Sequence, residues 1–487
     1  SQHSVVLVNP LERHGVRLSR YHYYVFFCIF ISKIPLFWHI LSLIFLSPPM
    51  DYNCKQKVNG ESKNVCPCDE PKWNRSIFEE TMQTKFNLLC ETKWQVSFSQ
   101  SMVFAGMLVG SFMVGFLSDR FGRVNMFSSS ALLVSVAGAL ATVMPTSLAF
   151  SCMRFIEGMG VAGTIVTSYV ICIEYCSVKH REVLTGLFHI PLNIGHATLP
   201  GVSYFLRDFD RFQLCISIPV LIFAFARWYI RETPKWLMDR GRIDEVSSFI
   251  EKTIRTSSVI VKDEIHTYLA SDTKNINTKA AFWEIFKFKR LVINLICMSV
   301  INFVCGIGYY GVSQFIGNMS GNIHLNVFIS GVLLLPGTIL SVFLLPIISR
   351  RTFLMIACIG AGGFMIAVIC FPADMTWVRV TLACVCNCLM FVAFIISILY
   401  AVELFPTSVR TSVLGVVSVL ARIGQILGPI VNLLPENYSG IVYGALAVIA
   451  GVMCCLLPET MNKELPSTLE QAAESHIPNT STPRTSK

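Results

Sequence analysis

The sequence predicts an all-α membrane protein built from two copies of a six-helix bundle. Apolar residues make up 53% of the 487 positions and charged residues only 14%, whereas soluble domains carry about 25% charged residues. About a dozen apolar runs reach the roughly 20 residues that a membrane-spanning helix requires. Motifs of the first half of the chain also recur in the second half. Together these observations exclude an ordinary soluble protein.

The apolar runs and the polar segments between them divide the chain into parts. Residues 1–21 and 458–487 are polar ends, 47–93 is a polar loop after the first span, and 231–288 is a polar loop after the sixth. Mixed charges over 242–269 predict short amphipathic helices in the second loop. Spans two to six fall within 94–230, and spans seven to twelve fall within 289–457. The twelve spans are predicted at 22–46, 94–117, 124–144, 147–171, 183–205, 211–230, 289–311, 325–348, 352–371, 376–400, 410–434 and 438–457.

The two halves repeat one another at a nearly constant offset. Three separate groups of residues share this offset, which predicts two copies of one six-helix unit, related by an axis normal to the membrane. The recurring pairs are Glu174 with Glu403, Arg181 with Arg410, Gly186 with Gly415, Arg123 with Arg351, and Glu232-Thr233 with Glu459-Thr460.

The distribution of positive charge predicts that both termini are cytoplasmic. Lysine and arginine are enriched in the cytoplasmic loops of membrane proteins, and the short loops 144–147 and 317–324 contain neither. The net charge of +9 therefore reflects topology and not nucleic-acid binding. No cleavable signal peptide is recognised, because the first apolar run is long enough to span the bilayer. The cations of the predicted cytoplasmic side are Arg120, Arg123, Lys179, Arg181, Arg350, Arg351 and Arg410.

The loop 47–93 is extracellular in this topology and contains Cys54, Cys66, Cys68 and Cys90. An oxidising compartment favours disulfides, so we expect one or two bonds, and four cysteines allow three complete pairings. A zinc site is the alternative, but the loop offers no histidine at a suitable spacing. Asn74-Arg-Ser76 is a sequon for N-glycosylation.

The loop between the second and third spans has the sequence GFLSDRFGR at 115–123, with one acid and two arginines. It resembles the G-x-x-x-D-R-x-G-R signature of the major facilitator superfamily, whose members are secondary transporters. The resemblance implies the major facilitator fold, with 12 transmembrane helices in two pseudo-symmetric six-helix bundles, and transport by alternating access. The second copy, Ser349-Arg350-Arg351, keeps the cations and lacks the acid.

Other motifs resemble the organic cation, anion and carnitine transporter family within that superfamily. TMQTKFNLLC at 81–90 is similar to T-x-V-T-E-[WF]-[DN]-L-V-C, and FLSPPMDYNC at 45–54 is similar to F-L-x-x-x-P-x-H-x-C. RETPKWL at 231–237, GRIDE at 241–245 and GYYGVS at 308–313 also resemble elements of this family. Lys85 replaces the acid of the family motif, so the role of that acid cannot be carried over.

The sequence contains no recognisable catalytic or nucleotide-binding motif. A P-loop, G-x-S-x-G and H-E-x-x-H are all missing. Cys384, Cys386 and Cys388 are two residues apart, a spacing that spreads them around a helix. We therefore expect no enzyme activity, no cofactor, no bound metal and no direct use of ATP by this chain.

Charged residues at the predicted cytoplasmic helix ends suggest a gate. Asp119, Glu174 and Arg181 can bridge to one another in the first half, and Glu403 can bridge to Arg410 in the second. Such bridges would hold the cytoplasmic side closed, and opening would break them. The alternative is a set of solvated surface pairs, each worth less than about 1 kcal/mol. The gating candidates are Asp119, Arg120, Arg123, Glu174, Arg181, Glu403 and Arg410.

Few charged residues fall inside the predicted spans. Glu157 is the clear acid, and it follows Arg154 by three residues, a helical spacing at which the two can pair. Arg422 lies near mid-membrane, and its own span contains no acid. Because a charge within the bilayer marks a partner or a water-filled path, Arg422 is the leading candidate for contact with a charged substrate. The cations within or at the ends of spans are Lys33, Arg154, Arg379 and Arg422.

Polar residues at helical spacing predict a central cavity, although such stripes also form hydrogen bonds between helices. Aromatic residues could form walls for planar organic ions, with packing or lipid contact as the alternative. The polar stripes are His189, Asn193 and His196; Asn302, Gly306, Tyr309 and Ser313; and Ser418, Arg422 and Gln425. The aromatic candidates are Tyr309, Tyr310, Phe391 and Phe394.

The resemblance also bears on the substrate. In that family an acid in the eleventh helix accompanies cation carriers, whereas an arginine accompanies anion and carnitine carriers, and Arg422 occupies this position. His39 is similar to the anion branch, while Thr338 and Asn387 stand where several anion carriers have lysine. Organic anions are therefore favoured, with carnitine-like zwitterions or cations as the alternative. The substrate-binding candidates are Arg422, Tyr309, Tyr310, His39, Gln425, Asn193 and Phe394.

We thus expect a multi-pass carrier of small organic ions in the plasma membrane, with the lipid bilayer as its surroundings. The coupling to a counter-ion and the oligomeric state are left open. A transport-inactive sensor is the hypothesis of another class, because the second-half loop lacks its acid and Lys85 departs from the family motif.

Overall fold

The computed structural model describes residues 20–56, 60–66, 68, 71–176, 184, 186–254, 282–406, 409–461 and 469–474. The described residues form two compact units. Unit 1 contains those up to 254 together with Ser313–Thr338 and Pro429–Leu434. Unit 2 contains 282–312, Ile339–Gly428 and the described residues from Pro435 onward.

Unit 1 contains the helices of the first half of the chain. They are α1 (Arg20–Leu41), α2 (Leu43–Leu46), α3 (Met82–Lys85), α4 (Trp94–Phe121), α5 (Arg123–Thr142), α6 (Ser147–Tyr175), α7 (Ile190–Phe205), α8 (Phe209–Ala224), α9 (Ala226–Tyr229), α10 (Pro234–Asp239) and α11 (Ile243–Ile254). Helix α6 packs on α4 and α5, α5 also contacts α8, and α1 contacts α7. Long apolar runs adopt helices because a helix satisfies its backbone hydrogen bonds internally, as the bilayer demands.

The helices of the second half are α12 (Lys289–Asn318), α13 (Ile323–Leu344), α14 (Arg350–Cys370), α15 (Thr376–Leu404), α16 (Arg410–Val431), α17 (Glu436–Met453) and the short α18 (Leu469–Glu474). Helix α14 packs on α15 and α17. Helices α12, α13 and α16 contribute residues to both units. Short 3-10 segments at Cys90–Thr92, Phe282–Lys287 and Cys454–Leu456 complete the described helical structure.

Two expected spans differ from the helices found. The first span is interrupted, since α1 ends at Leu41 and α2 begins at Leu43 after Ser42. The fifth span corresponds to α7, which begins with Ile190 and Pro191, while residues 177–183 and 185 lie outside the described ranges. Proline suits a helix start because the first turn has no use for its missing N–H. Within the described ranges, eleven helices are long and apolar enough to cross a membrane, and the 16-residue α7 is shorter.

Glycine allows neighbouring helices to approach closely in each unit. A Cβ added at Gly158 of α6 would lie 2.1 Å from the carbonyl oxygen of Val103 in α4. A Cβ added at Gly424 of α16 would lie 2.2 Å from the carbonyl oxygen of Phe303 in α12. Small residues at helix crossings are typical of membrane proteins, where close packing replaces the hydrophobic effect.

The outer loop contains a small sheet, which the all-α expectation did not include. Strands β1 (Tyr52–Gln56), β2 (Gly60–Lys63) and β3 (Pro71–Trp73) pair antiparallel in the order β2-β1-β3. Disulfides join Cys54 to Cys68 and Cys66 to Cys90. The strands are short and mostly polar, so their composition does not distinguish them from an irregular loop.

Candidate functional site

A cluster of charged side chains joins the ends of α4, α5 and α6 in unit 1. Arg123, the first residue of α5, places Nη1 2.6 Å from Asp119 Oδ1 and Nη2 3.4 Å from Glu174 Oε1. The second oxygen of Glu174 accepts a hydrogen bond of 2.5 Å from Thr233 Oγ1. Asp119 is largely exposed, whereas Glu174 is nearly buried. The Arg123–Glu174 pair is therefore the less screened of the two.

Glu232 ties the segment after α9 to the start of α5. Its Oε1 accepts the backbone N–H of Arg123 at 2.8 Å and of Val124 at 3.0 Å, a carboxylate at a helix N-terminus as the helix dipole favours. Gly122 has φ +105°, and an added Cβ there would lie 2.4 Å from Glu232 Oε2. Both facts require glycine at this position. Burial raises the pKa of the Glu232 carboxyl, and the hydrogen bonds from these backbone groups oppose this effect by lowering the pKa.

Unit 2 contains the counterpart of this cluster. Arg350 Nε lies 3.2 Å from Glu403 Oε1, and Thr460 Oγ1 donates to Glu403 Oε2 at 2.6 Å. Glu459 accepts the backbone N–H of Arg350 at 3.2 Å, as Glu232 does for Arg123. Each unit therefore contains a Glu–Arg–Thr contact set, in which the counterpart of Arg123 is Arg350 and not Arg351, the residue that the sequence repeat paired with it. We name the two sets the helix-end clusters: Arg123, Glu174, Glu232 and Thr233 in unit 1, and Arg350, Glu403, Glu459 and Thr460 in unit 2.

The expected bridge between Glu403 and Arg410 is wrong for this structure. Arg410 Nε donates to the carbonyl oxygen of Phe405 at 3.2 Å, whereas Glu403 pairs with Arg350. Arg410 begins α16 and turns back onto the segment before it, while Arg350 begins α14 beside the end of α15. Arg120 is exposed, with its guanidinium over the Phe121 ring at 5.6 Å. Arg181 lies outside the described residues.

Unit 1 also contains a fully buried charge cluster. Arg154 Nη1 lies 2.9 Å from Glu157 Oε1, the pair that their helical spacing predicts. His39 of α1 contacts the same carboxylate oxygen through Nδ1, and its Nε2 lies 3.0 Å from the carbonyl oxygen of Ile216 in α8. His39, a predicted substrate contact, is thus engaged between α6 and α8. Sequence spacing could not reveal its contact with Glu157, because the two residues come from different helices.

Three further cations have partners that the sequence did not indicate. Arg379 Nη2 lies 2.6 Å from Glu436 Oε1 at the start of α17 in unit 2. Lys33 is fully buried in unit 1, with Nζ against the ring of Phe188 and 3.5 Å from its carbonyl oxygen. Lys85, which departs from the family motif, pairs with Asp210 at 2.6 Å. Each pair joins segments that are distant in the sequence.

Most of the substrate-contact candidates lie in unit 2. Arg422 Nη1 donates to Gln425 Oε1 at 2.9 Å on one face of α16. In α12 the rings of Tyr309 and Tyr310 lie 4.7 Å apart, and Tyr309 lies 4.8 Å from Phe391 of α15. Tyr309 and Phe391 are buried, whereas Tyr310, Phe394 and Arg422 are partly exposed. Unit 2 therefore combines a cation with an aromatic group, the features that suit a planar organic anion.

The polar stripe of α12 forms a bond between helices. Asn302 Oδ1 accepts a hydrogen bond of 3.0 Å from Ser397 Oγ of α15, and both residues are buried. This contact matches the alternative that the stripe allowed, hydrogen bonding between neighbouring helices.

The polar stripe of α7 packs against α13 within unit 1. Asn193 Nδ2 donates to Thr338 Oγ1 at 2.8 Å, and an added Cβ at Gly331 would lie 2.5 Å from the backbone nitrogen of Ala197. His196 is fully buried and stacks on Phe37 at 5.8 Å. Neither ring nitrogen of His196 has a hydrogen-bond partner among the described residues. In this arrangement Asn193 and His196 are covered by helix packing.

An aromatic group around His324 was missed by sequence reasoning. The imidazole stacks on Phe45 at 5.4 Å and on Phe78 at 5.5 Å, and its Nε2 lies 3.4 Å from Ser203 Oγ. These residues come from α2, the outer loop, α7 and α13, all in unit 1. No sequence pattern connects them, because each belongs to a different segment. Within the described ranges, no group of His, Cys, Asp and Glu could hold a metal ion.

The sequence is similar to those of known transporters over most of its length. The family model described as sugar (and other) transporter matches residues 27–471. The organic cation transporter protein of Drosophila melanogaster is 31% identical over 86% of this chain and 80% of its own length. Organic anion transporter 3 of Oryctolagus cuniculus is 27% identical over 82% of this chain and 75% of its own length.

Solved structures share the fold at low sequence identity. The inward-open conformation of the xylose transporter XylE from E. coli superposes with a TM-score of 0.68 and 16% identity. The match covers 93% of this chain and 99% of that protein.

Proposed function

The chain belongs to the sugar (and other) transporter family of the major facilitator superfamily, and from this premise we propose that it carries small organic anions across the plasma membrane. It is a multi-pass membrane protein of a transporter family and not an enzyme. Alternating access is the transport mode consistent with its relatives and its fold.

The observation that supports an anionic substrate is the placement of Arg422. An arginine side chain stays protonated in proteins, and its contact with Gln425 at 2.9 Å is with a neutral amide. The aromatic group of Tyr309, Tyr310 and Phe391 lies in the same unit. A guanidinium can hold a carboxylate or sulfonate through two parallel hydrogen bonds. We assign the first contact with the anion to Arg422, with Gln425 orienting its guanidinium.

The remaining candidates contribute less directly to this proposal. Tyr310 and Phe394 are partly exposed and suit contact with the apolar part of a substrate. Asn193 and His39 are covered in the described arrangement, so their contact with substrate requires a second arrangement of α1 and α7. Alternating access supplies such arrangements, because it exchanges helix contacts between two states.

The helix-end clusters are the proposed gate. Each binds the last turn of one long helix to the first residue of another through a charged pair, at 3.4 Å for Arg123–Glu174 and 3.2 Å for Arg350–Glu403. Breaking a pair removes a contact that one state has and another lacks, which shifts the equilibrium between them. The excess of Lys and Arg around these ends supports a cytoplasmic location for them and for both termini.

Radiotracer uptake tests the proposal directly. Cells that express the full chain should accumulate a labelled aromatic carboxylate above the level of untransfected cells. An excess of unlabelled anion should compete more strongly than a cation or carnitine. Stronger competition by carnitine or by a cation would overturn the anion assignment and support the alternative. Ligand binding without accumulation would instead support a sensor.

Exchange measurements address the counter-ion. Cells preloaded with a dicarboxylate should take up the labelled anion faster if efflux of one drives influx of the other. An unchanged initial rate would exclude exchange with the dicarboxylate used.

A further inference from the structure

A cavity of about 590 Å³ lies in unit 1, beside the helix-end cluster. Its walls come from the first turn of α1, the start of α5, the segment 227–232 and the helices α10 and α11. Tyr21, Trp228 and Phe249 contribute aromatic surface, and the hydroxyl of Tyr21 accepts the backbone N–H of Arg231 at 2.8 Å. None of the substrate-contact candidates lines this cavity, so it is separate from the proposed transport site.

The cavity lies at the end of an apolar stripe on two consecutive helices. A stripe of exposed apolar side chains runs along α8 and continues through Phe225 into α9, where it ends at the cavity. Ile218 is 63% exposed, Ile222 62%, Phe225 44% and Trp228 72%. Such a stripe on a membrane-spanning helix faces lipid, and Trp and Tyr mark the level of the lipid headgroups. An occupant of the cavity would therefore enter from the headgroup layer.

The cavity wall includes two cations that no carboxylate of the described residues neutralises. Arg227 and Arg231 are exposed, and neither guanidinium pairs with a carboxylate among the described residues. Glu232 accepts backbone N–H groups of α5. Glu245 holds Arg242, with Oε1 2.7 Å from its Nε. The two acids of the cavity wall are thus already engaged, and the positive charge of Arg227 and Arg231 is available to an anion.

We propose that this cavity binds the headgroup of an anionic phospholipid from the cytoplasmic leaflet, with Arg227 and Arg231 holding its phosphate. Arginine forms two parallel hydrogen bonds with a phosphate, and basic pockets of this kind on the cytoplasmic side bind phosphorylated headgroups. The acyl chains lie along the apolar stripe of α8 and α9. The lipid contacts the segment that carries Glu232 and Thr233, so it stabilises the helix-end cluster of unit 1. The assignment of the leaflet rests on the orientation in the proposed function.

Native mass spectrometry of the purified full-length protein tests this site. The protein is released from nanodiscs of phosphatidylcholine with a minor fraction of phosphatidylinositol 4-phosphate, and the bound lipid is counted. Wild type should retain one phosphatidylinositol 4-phosphate in preference to phosphatidylcholine. The double variant R227Q/R231Q should retain it on the order of tenfold less, because each basic residue contributes to attraction of an anionic headgroup. Thermal unfolding in detergent checks that the variant is folded.

The matched control is the double variant K289Q/R290Q, which removes two exposed cations at the start of α12, on the same predicted side of the membrane. It should retain the lipid as wild type does. Equal loss in both variants, or undiminished retention by R227Q/R231Q, would overturn the proposal. Displacement of the lipid by soluble inositol 1,4-bisphosphate at equal concentration would assign the site to a soluble anion instead. Lipid binding is measured without transport, so a failed uptake experiment and a failed lipid site give separate results.

Discussion

Arg422 is the residue on which the substrate assignment depends. It lies in α16, a helix without an acidic residue, and its guanidinium donates to the neutral side chain of Gln425 at 2.9 Å. The sequence places this arginine within a predicted span, where a charge marks a partner or a water-filled path. A guanidinium can hold a substrate carboxylate through two parallel hydrogen bonds, which is a role that a neutral residue could not fill.

Substitutions of Arg422 should distinguish the effect of its positive charge on uptake from the effect of its planar guanidinium. Arg422→Lys keeps the charge and loses the planar fork, so anion uptake should fall by roughly tenfold without a change in charge preference. Arg422→Asp should abolish anion uptake, because the local charge is reversed. The measurement is initial uptake rate divided by the amount of protein at the cell surface.

Arg290→Lys is the control for this series, since Arg290 is exposed at the start of α12 and should tolerate the change. Normal anion uptake by a well-expressed Arg422→Ala carrier would refute the substrate role. Loss of surface protein in every Arg422 variant would instead indicate that the residue is needed for folding.

At the scale of elements, the two helix-end clusters have the same set of contacts on two different sets of helices. In each cluster a glutamate at the end of a long helix, Glu174 or Glu403, contacts an arginine and a threonine. These two partners come from two other segments of the chain. Exposed pairs of this kind contribute little alone, but a cluster of partly buried contacts can hold several helix ends together. Loss of a contact in such a cluster should change the equilibrium between the conformations of the carrier and not the free energy of unfolding.

We therefore predict that Asp119→Asn or Arg350→Ala shifts the carrier toward the inward-facing state. Each removes one charge from a helix-end contact, Asp119–Arg123 at 2.6 Å or Arg350–Glu403 at 3.2 Å. Single cysteines introduced on each side should change their accessibility to membrane-impermeant reagents in opposite directions.

Arg410→Ala is the control for the gate, because Arg410 donates to the carbonyl oxygen of Phe405 and not to Glu403. It should change accessibility less than Arg350→Ala. Unchanged accessibility in Asp119→Asn and Arg350→Ala, with normal expression, would show that the clusters do not gate transport.

For the whole molecule, we predict that the twelve expected spans place the loop 47–93 on the side of the membrane opposite to the chain termini. An even number of membrane crossings returns the chain to the side where it began, and the positive-inside rule assigns that side to the cytoplasm. Asn74 is exposed directly after β3, and its side chain accepts the backbone N–H of Ser76 at 3.1 Å. The sequon is thus accessible from the surface of the loop.

We predict that this loop is glycosylated at Asn74 and held by the disulfides Cys54–Cys68 and Cys66–Cys90. Glycosidase treatment of surface-labelled protein should increase its mobility on a gel, and Asn74→Gln should remove the shift. Thiol labelling without reductant should leave all four cysteines unmodified. Labelling of Cys66 and Cys90 alone would leave one disulfide, and labelling of all four would exclude both.

The sequence by itself determined those features that depend on one continuous segment of the chain. The spans, the repeat and the signature loops follow from run length, composition and spacing, because a membrane helix must be apolar along its own length whatever surrounds it. The Arg154–Glu157 pair was predictable for the same reason, since both residues lie on one face of one helix.

The sequence alone could not predict the contacts between segments that are distant in the chain. Glu403 pairs with Arg350 and not with Arg410, His39 contacts Glu157, and Lys85 pairs with Asp210. Each choice depends on how far a helix is rotated and which neighbour packs against it, and these quantities are set by side-chain packing over the whole interface. The pairing of the four loop cysteines has the same origin. A disulfide forms between cysteines whose Cβ atoms the folded chain brings within reach, and only the tertiary structure decides which ones those are.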